Sequence, residues 1–448
     1  MSMKITVKKG LDLNIAGAAM VPSDSEAVSL VAPRRIAIVP DDFVGLTPKL
    51  DVKEGDSVMI GSPLLHDKVN PTVKVVSPVC GTVTAVVRGL RRKIERVELA
   101  PDSGSAAVKF DTAGDIRTLL MESGLWAMMR QRPYDVVPDP SSDPRDIFVT
   151  AFDSAPLAPL LTFGMKNAAA ELNAGIKALA GLTRGKVYIG VRSQSDIPPV
   201  AGAEIVEVAG PHPAGNAGVQ IAAIAPVNKG ETVWTLDIVT LRKIGHLMIN
   251  GSVDPEVIVA LTGGEVETPH YVATVPGCDM ESIIGAGLKS LKDDHHRRVI
   301  SGNVLTGQNV GMEGFLRWPY RQVTVIPEGD DVDEFLGWAN PGAGKMSVKR
   351  SFIGHFLSGK KFNPDARIKG GRRAMILSGE YDRVLPMDIL GEYLVKAIIA
   401  KDIDKMEQLG IYEVAPEDFA LPEYVDTSKL ELQKIVREGL DYVRKELA

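Results

Sequence analysis

Cysteine is nearly absent. The 448 residues include two, Cys80 and Cys278, and no Cys-x-x-Cys pair, so one chain can build neither a thiolate zinc site nor a cysteine-ligated iron–sulfur cluster. They allow one disulfide at most, which suits a reducing cytoplasm. Long apolar runs are missing too. The best stretch, near Val219 to Val227, is broken by Gln220 and Pro226, whereas a spanning helix needs about 20 apolar residues. Met1-Ser2-Met3-Lys4 leads straight into an alternating segment, so no signal peptide is expected. Basic charge is not in excess. A net charge of −6 leaves no electrostatic case for nucleic acid. There is no nucleophile elbow, no His-Glu-x-x-His and no carboxylate pair of diagnostic spacing, so no catalytic residue, cofactor ligand or metal ligand is assigned.

Three near-motifs fail, each on its own physical ground. Pro341-Gly342-Ala343-Gly344-Lys345-Met346 lacks the leading glycine of a phosphate loop and the hydroxyl that would bind magnesium after the lysine. Gly285-Ala286-Gly287 has two of three dinucleotide glycines, and they follow a helix instead of a strand. In Asp293-Asp294-His295-His296-Arg297-Arg298 adjacent histidines point apart, and two cations sit beside them; a solvated turn is expected. His246 falls near a helix end, where a cation suits the dipole.

What is present is an ordinary globular composition, 45% hydrophobic and 24% charged. The length exceeds one core, and roughly two to four domains are expected. Val52 to Val87 reads as two short strand pairs around glycine turns at Gly55-Asp56 and Gly81. The two halves resemble the flattened barrel of biotinyl and lipoyl carrier domains. In those carriers a modified lysine lies eight residues before the Ala/Ser-Pro. Counting back from Pro78 reaches Asn70, followed by Pro71, with Lys68 two residues away. A barrel without a swinging arm is expected.

Elsewhere, Ile5 to Ala19 predicts two strands about a turn at Gly10, the second carrying Leu11, Leu13 and Ile15. Arg35–Val39 and Ile94–Leu99 are strands flanking the barrel. Asp115 opens a helix whose apolar face takes Ile116, Leu119, Leu120 and Met128, interrupted at Gly124 and ended by Pro133. Strands at 147–150, 187–189 and 205–208, with a helix over 168–180, argue a parallel α/β sheet. Pro211 to Val219 reads as loop and Thr232 to Met248 as one amphipathic helix ended by Gly251. Strands at 257–261, 271–275, 297–301 and 322–326, with a helix over 280–284 capped by Asp279, make a mixed β region. From Leu385 onward the chain is mainly helical, ending in 430–447.

Several blocks together resemble one family, the A subunits of the bacterial Na⁺-translocating NADH:quinone oxidoreductases (Nqr). They are Lys4–Gly17, Ser123-Gly124-Leu125-Trp126, Ile147–Asp153, Gly210-Pro211-His212-Pro213-Ala214-Gly215, Ser301–Gly307 and Asp426–Leu430 with Val436–Asp441. The resemblance covers essentially the whole chain. The wider family includes the C subunit of the Rnf complex and the flavin- and NADH-binding subunit of respiratory complex I. It implies an α+β and α/β multidomain chain. An N-terminal β region spans 1–100, with a biotinyl/lipoyl-like barrel-sandwich hybrid over about 35–100. A Rossmann-like α/β domain at 101–255, a β-grasp domain of soluble-ligand-binding type at 256–330 and a helical C-terminal region at 331–448 follow.

Those relatives cradle FMN and NADH in a glycine loop. Here Leu125 to Tyr134 stands in its place with bulky side chains, and the C-terminal cluster cysteines are missing. The resemblance therefore implies a subunit holding no flavin, NADH or Fe–S site, inside a complex that uses FMN, FAD, riboflavin, Fe–S, NADH and quinone. Its expected place is the cytoplasmic face of the inner membrane, peripheral and tied to the membrane-embedded B subunit. Two function classes follow: a contributor to quinone reduction coupled to Na⁺ transport, or a docking scaffold that never meets quinone. An independent carrier-type enzyme is a third, opposed by the missing lysine and nucleotide loops. A quinone needs an apolar slot ending in a donor or two. The candidates are Phe43 and Gly45 in the apolar loop 38–46, and Trp126, Met129, Arg130, Arg132 and Tyr134 in the former glycine-loop segment. The competing reading pairs Arg130 and Arg132 with carboxylates at a domain seam.

Overall fold

The computed structural model describes residues 3–23, 27–290, 296–330, 336, 344–348, 352–357 and 359–447. The 341–346 and 293–298 near-motifs therefore lie partly outside the described residues.

The barrel forms from two sheets. Ile36–Ile38, Ile94–Pro101, Gly81–Arg88 and Ser57–Val58 make one, in that order; Pro48–Leu50, Pro63–Asp67 and Lys74–Val76 make the other. Alternation puts Val58, Leu65, Val73, Val75, Val83, Val97 and Leu99 inside. Gly81 is required because a Cβ there would overlap the Ala100 carbonyl. At the hairpin tip the Asn70 backbone N–H donates to Asp67 Oδ2 at 2.9 Å.

The α/β sheet runs Met3–Thr6, Glu204–Ala209, Val187–Val191, Ile147–Thr150, Val233–Asp237, Arg130–Arg132. All neighbours are parallel except the last pair, in which Arg130 faces Thr235 and Arg132 faces Val233. The N-terminal strand thus belongs to this sheet and not to the barrel region. Ser29–Leu30 likewise joins the third sheet, parallel to His270–Thr274. That sheet runs Gln308–Asn309, Arg297–Ser301, Gln322–Pro327, Val257–Thr262, His270–Thr274, Ser29–Leu30. The first 30 residues stitch two later domains together.

Four expectations are corrected. Leu11 to Ile15 forms no strand: Leu11 N–H donates to the His212 carbonyl at 2.8 Å, and Ile15 makes a single bridge with Phe362. Thr232 to Met248 divides into the strand Val233–Asp237 and the helix Ile238–Asn250. A strand buried on both faces has no alternation to betray it, and the Asp237 carboxylate accepts the Thr240 N–H at 2.7 Å to start the helix. The helix Ala217–Ile224 begins inside the 211–219 stretch that was expected as loop. The Asp115-capped helix stops at Glu122, and Met128 belongs to a separate turn beyond Gly124, at φ +79°.

Beyond a small cluster of Val384, Leu421 and Val425, the C-terminal helices Gly391–Ala400, Ile403–Gln408, Ala420–Val425 and Leu432–Glu446 form no separate core among the described residues. Leu394, Ile398, Val436, Leu440 and Val443 share one with Val206, Val208, Val219, Ile221 and Val233 of the α/β domain.

Candidate functional site

From the strand Ile147–Thr150 the chain winds outward through Val187–Val191 to Glu204–Ala209. It then returns to the other side as Val233–Asp237. The connections diverge between the paired ends Thr150 and Asp237, which leaves a crevice beyond the carboxyl ends of the strands. A cleft of about 400 Å³ opens there. The barrel contributes Asp42, the third domain Trp318 to Gln322, and the C-terminal region Glu417. Three cis peptide bonds, Arg132-Pro133, His212-Pro213 and Trp318-Pro319, flank it.

The edge strand carries both arginines of the expected quinone set, and they differ. Arg132 is 1% exposed. Its Nη1 donates to Asp418 Oδ2 at 3.2 Å and its Nη2 to Glu417 Oε1 at 3.0 Å, with Asp135 at 3.8 Å. Burial alone would lower its guanidinium, but Asp418, Asp135 and Glu417 prevail and hold it above its ordinary value. Burial and the neighbouring Asp418 charge push Glu417 up.

Among the described residues Arg130 has no carboxylate as a hydrogen-bond partner. Its Nη2 donates to the Asp42 carbonyl at 2.6 Å, and its guanidinium lies 4.2 Å from the Trp318 ring centroid. Burial lowers it to about 10, against Asp135 and Asp42. Phe43 stacks on the same Trp318, centroids 5.6 Å apart. Asp42 accepts from Arg317 Nη2 at 2.6 Å and from the Trp318 N–H at 3.1 Å. Burial still raises its carboxyl, with Arg317 opposing. Barrel, α/β domain and third domain therefore meet at Trp318. Behind it lies a small apolar slot of about 60 Å³ lined by Phe43, Leu125, Met128 and Leu316, with Lys243 on its wall. Lys243 Nζ donates to the Asp254 and Glu256 carbonyls at 2.6 Å each, and burial lowers it to about 8.

The other candidates lie apart from the cleft. Trp126 is fully buried, edge-on to Trp234 at 5.0 Å, its Nε1 donating to the Pro138 carbonyl at 2.8 Å. Met129 is fully buried in the same core. Tyr134 packs edge-on against Tyr412 at 6.2 Å, while Arg437 donates to its carbonyl at 2.7 Å. Gly45, at φ +97°, turns tightly against Val136; a Cβ there would sit 2.8 Å from Val136 Cβ. That closeness serves packing.

Sequence reasoning missed Trp318, Asp153 and His212. His212 lay inside a quoted block but carried no chemical signal, because its role depends on Gly215. A Cβ on Gly215 would come 2.6 Å from the Ser154 nitrogen, so glycine lets the 212–216 turn lie flush on Asp153-Ser154. His212 Nδ1 then meets Ser154 Oγ at 3.0 Å, and the Gly215 N–H donates to that same oxygen at 2.8 Å. Burial lowers the imidazole to about 4, with Asp12 opposing. Among the described residues no helix is long and apolar enough to cross a membrane, and no group of three metal-ligating side chains forms.

The class this architecture defines is a multidomain α+β protein: a barrel-sandwich hybrid, an α/β domain with a switch-point cleft, a mixed-sheet domain and C-terminal helices sharing the α/β core. Three family models match it in that order: the NqrA N-terminal barrel-sandwich hybrid domain over residues 5–102, the NqrA second alpha/beta domain over 112–253, and the NQRA C-terminal domain over 258–311. The Na(+)-translocating NADH-quinone reductase A subunit of Pasteurella multocida is 36% identical over 456 residues, covering 99% of this chain and 100% of the relative. The protein of the same name from Vibrio vulnificus is 37% identical over 459 residues with the same coverage. The chain belongs to the family of Na⁺-translocating NADH-quinone reductase A subunits. Among solved structures, an NAD⁺-reducing [NiFe]-hydrogenase in its H2-reduced state aligns at a TM-score of 0.33 and 12% identity, over 48% of this chain and 47% of that one.

Proposed function

We propose that the chain is the peripheral A subunit of a sodium-pumping NADH:quinone oxidoreductase, on the cytoplasmic face of the bacterial inner membrane. It docks on the membrane-embedded B subunit and contributes to assembly and to quinone reduction coupled to Na⁺ transport. The observation that carries this is the end-to-end match, 99% of this chain against 100% of the relative. On this reading turnover needs the partner subunits, and flavin, NADH and Fe–S clusters reside in them. The packing of Trp126 and Met129 as core side chains in the segment replacing the glycine loop supports that division. We read the α/β domain as Rossmann-like and the third domain as a β-grasp, on strand order and the switch-point cleft.

Quinone would meet this chain at Trp318. Of the residues expected from sequence, Phe43 and Arg130 converge on that ring. The apolar slot behind accepts part of a tail, and Arg130 supplies a charge-assisted donor that favours a reduced, anionic quinone oxygen over the neutral one. Arg132 is the anchor of a domain seam, as its three carboxylates indicate. The test is Arg130→Gln and Trp318→Leu in the assembled complex, with the NADH-to-flavin and flavin-to-quinone steps measured separately. Flavin reduction should keep its rate and the quinone step should slow about tenfold or more. If quinone rate, apparent affinity and inhibitor sensitivity all persist, the docking-scaffold reading replaces this one.

A further inference from the structure

Arg88 to Lys93 closes the hairpin between the strands Gly81–Arg88 and Ile94–Pro101. Arg88, Arg91, Arg92 and Lys93 are cations, in a chain whose net charge is −6. Lys93 Nζ pairs with Asp41 Oδ2 at 2.6 Å, and the Glu95 carboxylate lies against Gly89 at the base of the loop. Among the described residues no carboxylate pairs with Arg88, Arg91 or Arg92, and all three are exposed.

Leu90 stands between them. At 93% it is the most exposed large apolar side chain among the described residues. A lone exposed leucine needs no explanation, but this one is held out by a closed turn. The Gly89 N–H donates to the Lys93 carbonyl at 2.9 Å, and the Arg92 N–H to the Gly89 carbonyl at 3.1 Å. Arg88 Nη1 donates to the Arg92 carbonyl at 3.1 Å. Arg91 and Arg92 are both left-handed, at φ +55° and +61°. A Cβ disfavours that backbone, and glycine or asparagine is the ordinary choice there. The loop keeps two exposed arginines in it instead.

Three partner classes can carry the opposing charge. A stable protein interface covers about 800 Å² on each side, which a tip this short cannot fill. A nucleic-acid backbone would pair the guanidiniums and leave Leu90 in water. Unpaired bases stack on aromatic rings, and the loop has none. An anionic bilayer answers both features. Its headgroup phosphates pair with the guanidiniums, the arginine stems lie along the interface, and the leucine enters the acyl boundary. Each cation near such a surface raises affinity about fivefold, so three give on the order of a hundredfold.

We propose that the 88–93 loop is a lipid-contacting tip, seated on the anionic headgroups of a membrane with Leu90 inserted. The contact is additional to docking on partner subunits, and it needs neither them nor quinone.

The full chain is sedimented with vesicles of phosphatidylglycerol and phosphatidylcholine, and with vesicles of phosphatidylcholine alone. Binding is expected to the anionic vesicles only, and it should fall as salt rises. Arg91→Gln with Arg92→Gln should weaken it about tenfold or more, and Leu90→Ser about threefold or more. Thermal unfolding checks that each variant is folded. A polarity-sensitive dye attached in the Leu90→Cys variant should shift to the blue on anionic vesicles; Cys80 and Cys278 are buried and escape labelling. Glycerol 3-phosphate, a headgroup without a bilayer, should not compete. The proposal is overturned by no binding to anionic vesicles, by unchanged binding in the folded loop variants, or by unshifted dye emission. Equal competition by glycerol 3-phosphate would overturn it in favour of a plain phosphate site. Loop variants that bind vesicles normally but fail to assemble with partner subunits would overturn it in favour of a protein contact.

Discussion

Arg132 and His212 are both buried and polar, with opposite consequences for pH. The Arg132 guanidinium holds three carboxylates, and Asp418 among them is fully enclosed. Arg132→Met leaves those carboxylates without their cation, and breaking such a pair costs about 3–5 kcal/mol. Urea unfolding at pH 7.5 should show that loss. At acid pH, where Asp418 takes up a proton, the loss should shrink. For His212 the folded value is about 4, below the ordinary 6.5. The unfolded chain therefore binds the extra proton first. Above pH 6.5 neither state is charged at this ring and there is no effect. As pH falls from 6.5 toward 4 stability is lost, by up to about 3 kcal/mol from this one ring. Below 4 the loss levels off. His212→Gln should flatten that limb of the stability–pH curve, and an unchanged limb would assign the dependence to other groups.

At the scale of elements, the helices Ala169–Ala180 and Ile238–Asn250 cross at reciprocal glycines. A Cβ on Gly245 would overlap the Glu171 carbonyl, and one on Gly175 would come 2.5 Å from the Leu241 carbonyl. Helix propensity favours alanine over glycine by about 1 kcal/mol in an isolated helix. Here contact overrides propensity. Gly245→Ala should destabilise by about 2 kcal/mol or more, since forced separation of packed elements costs that much. A neutral or stabilising result in thermal unfolding would mean the helices can part without penalty. The expectation of one helix from 232 to 248 failed for a related reason. Val233, Trp234 and Leu236 fit either period, and burial between Ile147–Thr150 and Arg130–Arg132 makes them strand.

Across the whole molecule, the C-terminal helices complete the α/β domain. Truncation after Leu385 would leave a folded N-terminal part if the region were a separate docking domain. The shared core of Val206, Val208 and Ile221 with Leu394, Val436 and Leu440 argues otherwise. The shortened chain should bind hydrophobic dye, aggregate and lose the α/β domain's thermal transition. A monomeric fragment with an intact transition would show that the α/β sheet stands without its helical cover.

Local chemistry settled much of this protein in the sequence. The barrel was legible because exposed faces alternate with buried ones and Gly81 marks a close approach. The helix over 280–284 was legible because Asp279 caps it, accepting the Ser282 N–H at 2.8 Å. Too few cysteines and no Cys-x-x-Cys bounded the chemistry without any fold. Family membership rested on blocks spread along the chain. Tertiary structure alone decided which elements are neighbours. Met3–Thr6 pairs with a strand about 200 residues away, and its own four residues carry no signal of that partner. The candidate set behaved the same way: Phe43 and Arg130 meet through Trp318, while Trp126 and Met129 turn into the core. Residue type restricts what a side chain can do, but the cleft depends on where the connections diverge and on which distant carboxylates arrive. Those are properties of long-range packing, which periodicity and spacing along the chain do not encode.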